Sequence, residues 1–132
     1  MKTPDISCKI EAYCSIYPSE DPKKVEQAIT NILDNVEIKI STEAIRATST
    51  NLESLKKIYK TIHSHKTQNT YRRQLNQNLD KESTWFYLNK QAAFANTISV
   101  CSESDESPLG PIKIIFESKN IEQVLEWLIA AE

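Results

Sequence analysis

The sequence predicts an α+β fold: one antiparallel-rich or mixed sheet with helices packed mainly on one of its faces. Three observations lead there. Ile6, Cys8, Ile10, Ala12, Cys14 and Ile16 occupy every even position of residues 6–16, with Ser7, Lys9, Glu11, Tyr13 and Ser15 between them. Such period-two alternation marks a strand with one buried face. Later stretches place apolar residues at helical spacing behind capping residues. Finally, strands and helices mix without the regular βαβ alternation of a parallel sheet. At 132 residues, a single domain spanning 1–132 is expected. It can bury about two thirds of its unfolded surface and needs no disulfide or metal to hold a core.

The elements follow in order. After the first strand, Asp21 can cap a helix with Pro22 at its first position and Val25, Ala28, Ile29, Ile32 and Leu33 on one stripe. Val36, Ile38 and Ile40 alternate as a strand, and "AIRATS" supplies a short companion. Thr50 and Glu53 have the spacing of a capping box. The helix they would open carries Leu52, Leu55, Ile58, Tyr59 and Ile62 on one stripe, with Lys56, Lys57, Lys60 and His63 on its flank. "HSHKTQN" is a break. A shorter helix then turns Tyr71, Leu75 and Leu79 inward and leaves Arg72 and Arg73 toward its edge. "TWFYL" has strand composition, "NKQAAFAN" is a helical turn, and "TISVCS" is a strand. "SESDES" is an acidic loop, "IKIIFES" another strand, and "NIEQVLEWLIAA" a closing helix.

The chain has one glycine, Gly110, where about nine would be usual for its length. Ser107, Pro108, Leu109 and Gly110 match a type I turn, and Pro111 can open the following strand without losing a ladder bond. Each proline also biases the residue before it toward extended backbone. A phosphate-cradling loop needs several glycines ahead of a helix, so Gly110 is read as part of a turn.

Function speaks more faintly. No apolar run reaches the length of a membrane span and the N-terminus lacks a signal-peptide core, so a cytoplasmic protein without membrane contact is expected. Three cysteines without metal spacing fit reduced thiols, with Cys8 and Cys14 as core fillers. His63 and His65 add no four-ligand pattern, and no metal or cofactor is expected. Nucleophile elbow and Walker loop are both missing, which points away from an enzyme. Charge is the informative property. The net charge is −2, yet residues 46–73 carry +6 between flanks of −3 and −5.

At "YLNKQAAFANTISVCSESDESPLGPIKI" the sequence resembles the archaeal family designated domain of unknown function fifty-four, which carries an RNA-binding label. That family pairs "LNKQAA" with "PLGPI", as Leu88–Ala93 and Pro108–Ile112 do here. Its helix lead-in is matched by Pro18, Glu20, Asp21, Val25, Ala28, Ile29 and Asn31. The resemblance spans nearly the whole chain. It implies the fold of the ribosomal protein that binds 5S ribosomal RNA, and no catalytic residues. Asn96 stands where the family usually has glycine, and asparagine is the next-best residue for positive φ. The family's "D-x-A-R-x-x-L" stretch keeps Arg72 and Leu75 but loses its acid.

Two groups emerge as an RNA-binding surface. Lys56, Lys57, Lys60, Lys66, Arg72 and Arg73 could present cations to phosphates if their helices pack side by side. The bland alternative is a solvated helix face. Trp85 and Tyr87 share one side of a strand, where exposed aromatics can stack on bases. A second subunit, making a homodimer, is the commoner cover for such a face. Asn89, Lys90 and Gln91, with Pro108, Leu109, Gly110 and Pro111, form the family motif, read as structural, and Lys90 is expected to pair with the acidic loop. The overall expectation is a binding protein acting on RNA, or a protein-interaction or self-associating module.

Overall fold

The structure, a computed structural model, describes residues 2–101 and 109–130. Six strands form one sheet: β1 (Lys9–Ser15), β2 (Glu37–Ile40), β3 (Ala44–Ser49), β4 (Ser83–Asn89), β5 (Val100–Cys101) and β6 (Pro111–Glu117). Their order is β2-β3-β1-β6-β4-β5, and every pairing is antiparallel. The helices are α1 (Pro22–Ile32), α2 (Lys56–Ser64), α3 (Gln68–Gln77), α4 (Lys90–Phe94) and α5 (Ile121–Leu128). The acidic loop and Pro108 lie outside the described residues, and with them the first half of the turn expected at 107–110.

Alternation fixes the two faces of this sheet. Ile10, Ala12, Cys14, Ile45, Ala47, Phe86, Leu88, Ile112, Ile114 and Phe116 are fully buried, and the helices lay their apolar stripes on that face. Val25, Ala28, Ile29 and Ile32 come from α1, Ile58 and Ile62 from α2, Tyr71 and Leu75 from α3, and Val124 and Leu128 from α5. Each large side chain so buried contributes about 1.5–3 kcal/mol of transfer free energy. Two buried hydroxyls in this layer are bonded to backbone: Thr84 Oγ1 donates to the Leu75 carbonyl at 2.6 Å, and Ser118 Oγ donates to that of Ser7 at 2.7 Å.

Several local expectations change in detail. Asp21 caps α1 as anticipated, accepting from the Lys23 N–H at 3.0 Å. The next cap is not Thr50. Asn51 accepts from the Glu53 N–H at 2.9 Å and opens a 3-10 turn, Leu52–Leu55, that leads into α2. His63 is buried rather than on the charged flank of α2. Its Nε2–H donates to the Leu128 carbonyl at 2.9 Å, and its ring stacks on Tyr59, which stacks in turn on Trp127. Leu79 is exposed because α3 ends at Gln77, before the helical projection reaches it. Gly110 adopts φ +79°, a left-handed conformation instead of the extended one that Pro111 favours. Asn96 does take the positive φ expected of it, 60°.

Candidate nucleic-acid interface

Among the described residues, no helix covers the opposite face of the sheet. Odd-numbered residues of β1, β4 and β6 point there, joined by the even residues of β3. Register places Lys39 of β2 beside Arg46 of β3, Arg46 beside Tyr13 of β1, Tyr13 beside Lys113 of β6, and Lys113 beside Tyr87 of β4. From β2 to β4 this row carries cations and tyrosines and spans about 19 Å at the usual strand spacing. Register continues it to Cys101 of β5, beside Tyr87. The neighbouring row runs Glu37, Thr48, Glu11, Ile115 and Trp85.

Cations and rings are already in register with one another. Lys113 Nζ lies 4.5 Å from the centre of the Trp85 ring, and the Arg46 guanidinium 4.8 Å from that of Tyr13. Trp85 and Tyr87 lean together with centres 4.8 Å apart at 55°. Each cation–ring contact at such a partly exposed site is worth about 0.5–1 kcal/mol. Glu11 draws Arg46 at 3.4 Å, so the row keeps one guanidinium tethered while Lys39 has no ion-pair partner among the described residues. The rings of Tyr13, Trp85 and Tyr87 are half-buried, with their remaining surface toward solvent.

The helical cations sit elsewhere. Lys56, Lys57, Lys60, Lys66, Arg72 and Arg73 are all exposed, on α2, α3 and the turn between them. Lys57 leans to Asp34 at 3.5 Å, and Arg72 donates to Asn69 Oδ1 and the Ile129 carbonyl, both at 3.1 Å. Lys56, Lys60, Lys66 and Arg73 have no hydrogen-bond or ion-pair partner among the described residues. Helix α3 packs through Tyr71 edge-on against Phe86, the residue between Trp85 and Tyr87. The two halves of the anticipated RNA surface therefore lie on opposite sides of the sheet.

The motif segments converge at a third place. Lys90, at the start of α4, is buried, and its ammonium donates to the carbonyls of Ser15 at 2.9 Å and Leu109 at 2.6 Å. Its ion-pair partner is Glu20, ahead of α1, at 3.0 Å. Glu20 lies 70 residues away in sequence, and the acidic loop anticipated as the partner lies outside the described residues. A lysine has three donors, and these contacts use them. Asn89 caps α4 by accepting from the Ala92 N–H at 2.8 Å, and Asn31 Nδ2 ties α1 to the Ala93 carbonyl at 2.9 Å. Gly110 lies under Tyr17, whose hydroxyl would stand 3.5 Å from an added Cβ. Pro111 opens β6 opposite Asn89, and exposed Gln91 lines an open groove of about 470 Å³ with Lys24, Val25 and Phe94. The motif residues here clip segments together, and the buried Lys90 ammonium is fully engaged.

Cys8 and Cys14 are buried in the core, and burial pushes both thiols up to about 11, the nearby Lys90 ammonium only partly opposing this at Cys14. Neither is an activated nucleophile. Among the described residues no helix is long and apolar enough to cross a membrane.

A family model described as RNA binding matches residues 9–118. A UPF0201 protein of Methanothermobacter thermautotrophicus is 35% identical over 120 residues, covering 91% of this chain and 89% of that protein. One from Sulfurisphaera tokodaii is 37% identical over 124 residues, covering 91% and 86%. Among solved structures, a UPF0201 protein described as uncharacterized superposes with a TM-score of 0.79 at 28% identity, covering 93% of this chain and 94% of the other. A DUF54 protein of Sulfolobus solfataricus shares the fold, with a TM-score of 0.61 at 16% identity over 92% and 96% of the two chains. On the extent of the family match and the identity to these archaeal relatives, the chain belongs to the UPF0201, or DUF54, family, whose model is described as RNA binding.

Proposed function

We propose that the protein binds single-stranded RNA on the open face of its sheet, acting by recognition and not by chemistry. The observation that carries this reading is the row Lys39, Arg46, Tyr13, Lys113 and Tyr87, with Trp85 beside it. Single strands are held by aromatic platforms that stack on bases and by cations that follow the phosphates. This row offers both on rigid strands, where side-chain positions are fixed by the ladder. The family description supports the same class of ligand. Few cations take part, so the salt dependence is expected to be shallow. A contact to two or three phosphates gives a slope of about −2 in log K against log salt.

Titrating the full chain with a short unstructured RNA tests this. Trp85→Ala with Tyr87→Ala should weaken binding by about a hundredfold, taking about 1–3 kcal/mol per stacked base. Reversing Lys56, Lys60 and Arg73 to Glu on the helical layer should change it by less than about threefold, since those groups face away from the strand. Undiminished affinity in the double alanine variant would sink the sheet-face reading. Collapse of binding in the helical variant, with a steep salt slope, would move the interface to α2 and α3.

A further inference from the structure

We propose that the chain forms a two-fold dimer by antiparallel pairing of its edge strand β2 with β2 of a second copy, Ile38 lying opposite its own counterpart. Strand β2 ends the sheet, and among the described residues its one partner strand is β3. The ladder shows which backbone groups are left over. The Ser41 N–H donates to the Ala44 carbonyl at 2.9 Å, so Ser41 turns its backbone toward β3. By the alternation of an antiparallel pair, Lys39 and Glu37 do the same, and Ile38 and Ile40 aim theirs at the open edge. Ile38 and its counterpart can therefore exchange both hydrogen bonds across the two-fold axis.

The side chains fit that register and no nearby one. The segment reads Val36, Glu37, Ile38, Lys39, Ile40. Centred on Ile38, it sets Glu37 against Lys39 of the second copy and Ile40 against Val36 of the second copy, so unlike charges meet and aliphatic meets aliphatic. A shift of one residue opposes charge to isoleucine. A shift of two opposes lysine to lysine or glutamate to glutamate, which is destabilising for directly opposed pairs. A lysine on an edge ordinarily wards off foreign strands; here it has an acid waiting at the same position in a like chain. Ile40 gives the second, independent reason. At 50% it is more exposed than Tyr17, Phe94 or Leu79, the other large apolar residues left uncovered among the described residues. The pairing would cover it with Val36 of the second copy. The other edge strand, β5, comprises Val100–Cys101 among the described residues.

Such a dimer continues the sheet across the axis, bringing the open faces of the two copies side by side. The proposal stands whether or not that face binds RNA.

The test is the association state of the full chain, measured by sedimentation equilibrium over a range of concentrations. Glu37→Lys alone and Lys39→Glu alone each create two like-charge pairs by symmetry, and each should weaken the dimer by about tenfold or more. The double swap, Glu37→Lys with Lys39→Glu, restores unlike pairs and should return the dimer to near its original strength. Both residues are exposed, and thermal melts would confirm that every variant is folded. A wild-type chain that stays monomeric overturns the proposal. So does a dimer that ignores the single swaps, or a double swap no stronger than the singles.

Discussion

The two faces of the sheet are built from the same strands and both carry aromatic rings, yet their rings have different neighbours. Beneath the helices, Phe86 stacks on Phe116 with centres 5.7 Å apart and receives the edge of Tyr71 at 5.2 Å. On the open side, Trp85 and Tyr13 are met by the ammonium of Lys113 and the guanidinium of Arg46. Within β4 alone, Thr84, Phe86 and Leu88 are fully buried while Trp85 and Tyr87 keep one side wet. Rings buried on rings beneath the helices serve folding, through apolar burial and the ring–ring contact itself. Rings packed on cations hold an electrostatic contact that water does not destroy, and so they can wait at a surface. The comparison teaches where stability and recognition are separable in this fold.

That separation can be broken at its strongest point first. Phe86→Ala should cost about 3–5 kcal/mol of unfolding free energy in a urea titration, through lost burial and a cavity. Trp85→Ala, the adjacent residue, should cost about 1 kcal/mol or less while removing most RNA affinity. Equal losses for the two would mean that the faces are not distinct. Lys90→Met should rival Phe86→Ala, at about 3–5 kcal/mol, because the Glu20 carboxylate would remain in a nearly closed site without its cation. RNA titration of that variant, under conditions where it is folded, should match the parent.

A smaller effect concerns pH. Cys8 and Cys14 have folded pKa values raised to about 11, above those of the unfolded thiols. A raised value favours the protonated form in the fold, so this stability is fully present below the unfolded pKa of about 8.5 and is lost as pH climbs through the folded value. Stability should therefore fall between about pH 8.5 and 11, by about 2 kcal/mol or more per thiol. Comparing Cys14→Ala with the parent across that window isolates one share, since the variant's curve should be flatter. Smallest of all is the open face. Lys113→Ala should cost about 0.5–1 kcal/mol, and a double-mutant cycle with Trp85→Leu should show that the two losses are not additive.

Local pattern made the fold class readable. Even positions of β1 declare one face, and Asp21 with Pro22 declares where α1 begins. Failures occurred where a neighbour in space overrode a neighbour in sequence. Asn51 replaced Thr50 as a cap because β3 holds the chain extended through Ser49 and a 3-10 turn intervenes before α2. His63 went inward because α5 brings Trp127 and the Leu128 carbonyl to meet it and Tyr59. The pairing of Trp85 with Tyr87 on one side was legible from alternation. Which side lay open was not, since that depends on where α3 packs. The cation–tyrosine row was wholly hidden: Arg46, Tyr13 and Lys113 come from three strands, and only the register aligns them. Lys90 shows the same limit, its acid lying in a segment that no local pattern connects to it.

Apart from Gly110, the left-handed positions among the described residues are filled by Asn35 at φ 53°, Lys66 at 54°, Lys81 at 57° and Asn96 at 60°. Each side chain there strains the folded chain by about 1 kcal/mol relative to glycine. Each also narrows the disorder available to the denatured chain, so less entropy is surrendered when it folds. The two effects oppose each other at every such corner. A polypeptide this poor in glycine begins its search for structure from a stiffer ensemble, and heat has correspondingly less freedom to offer it in return for unfolding.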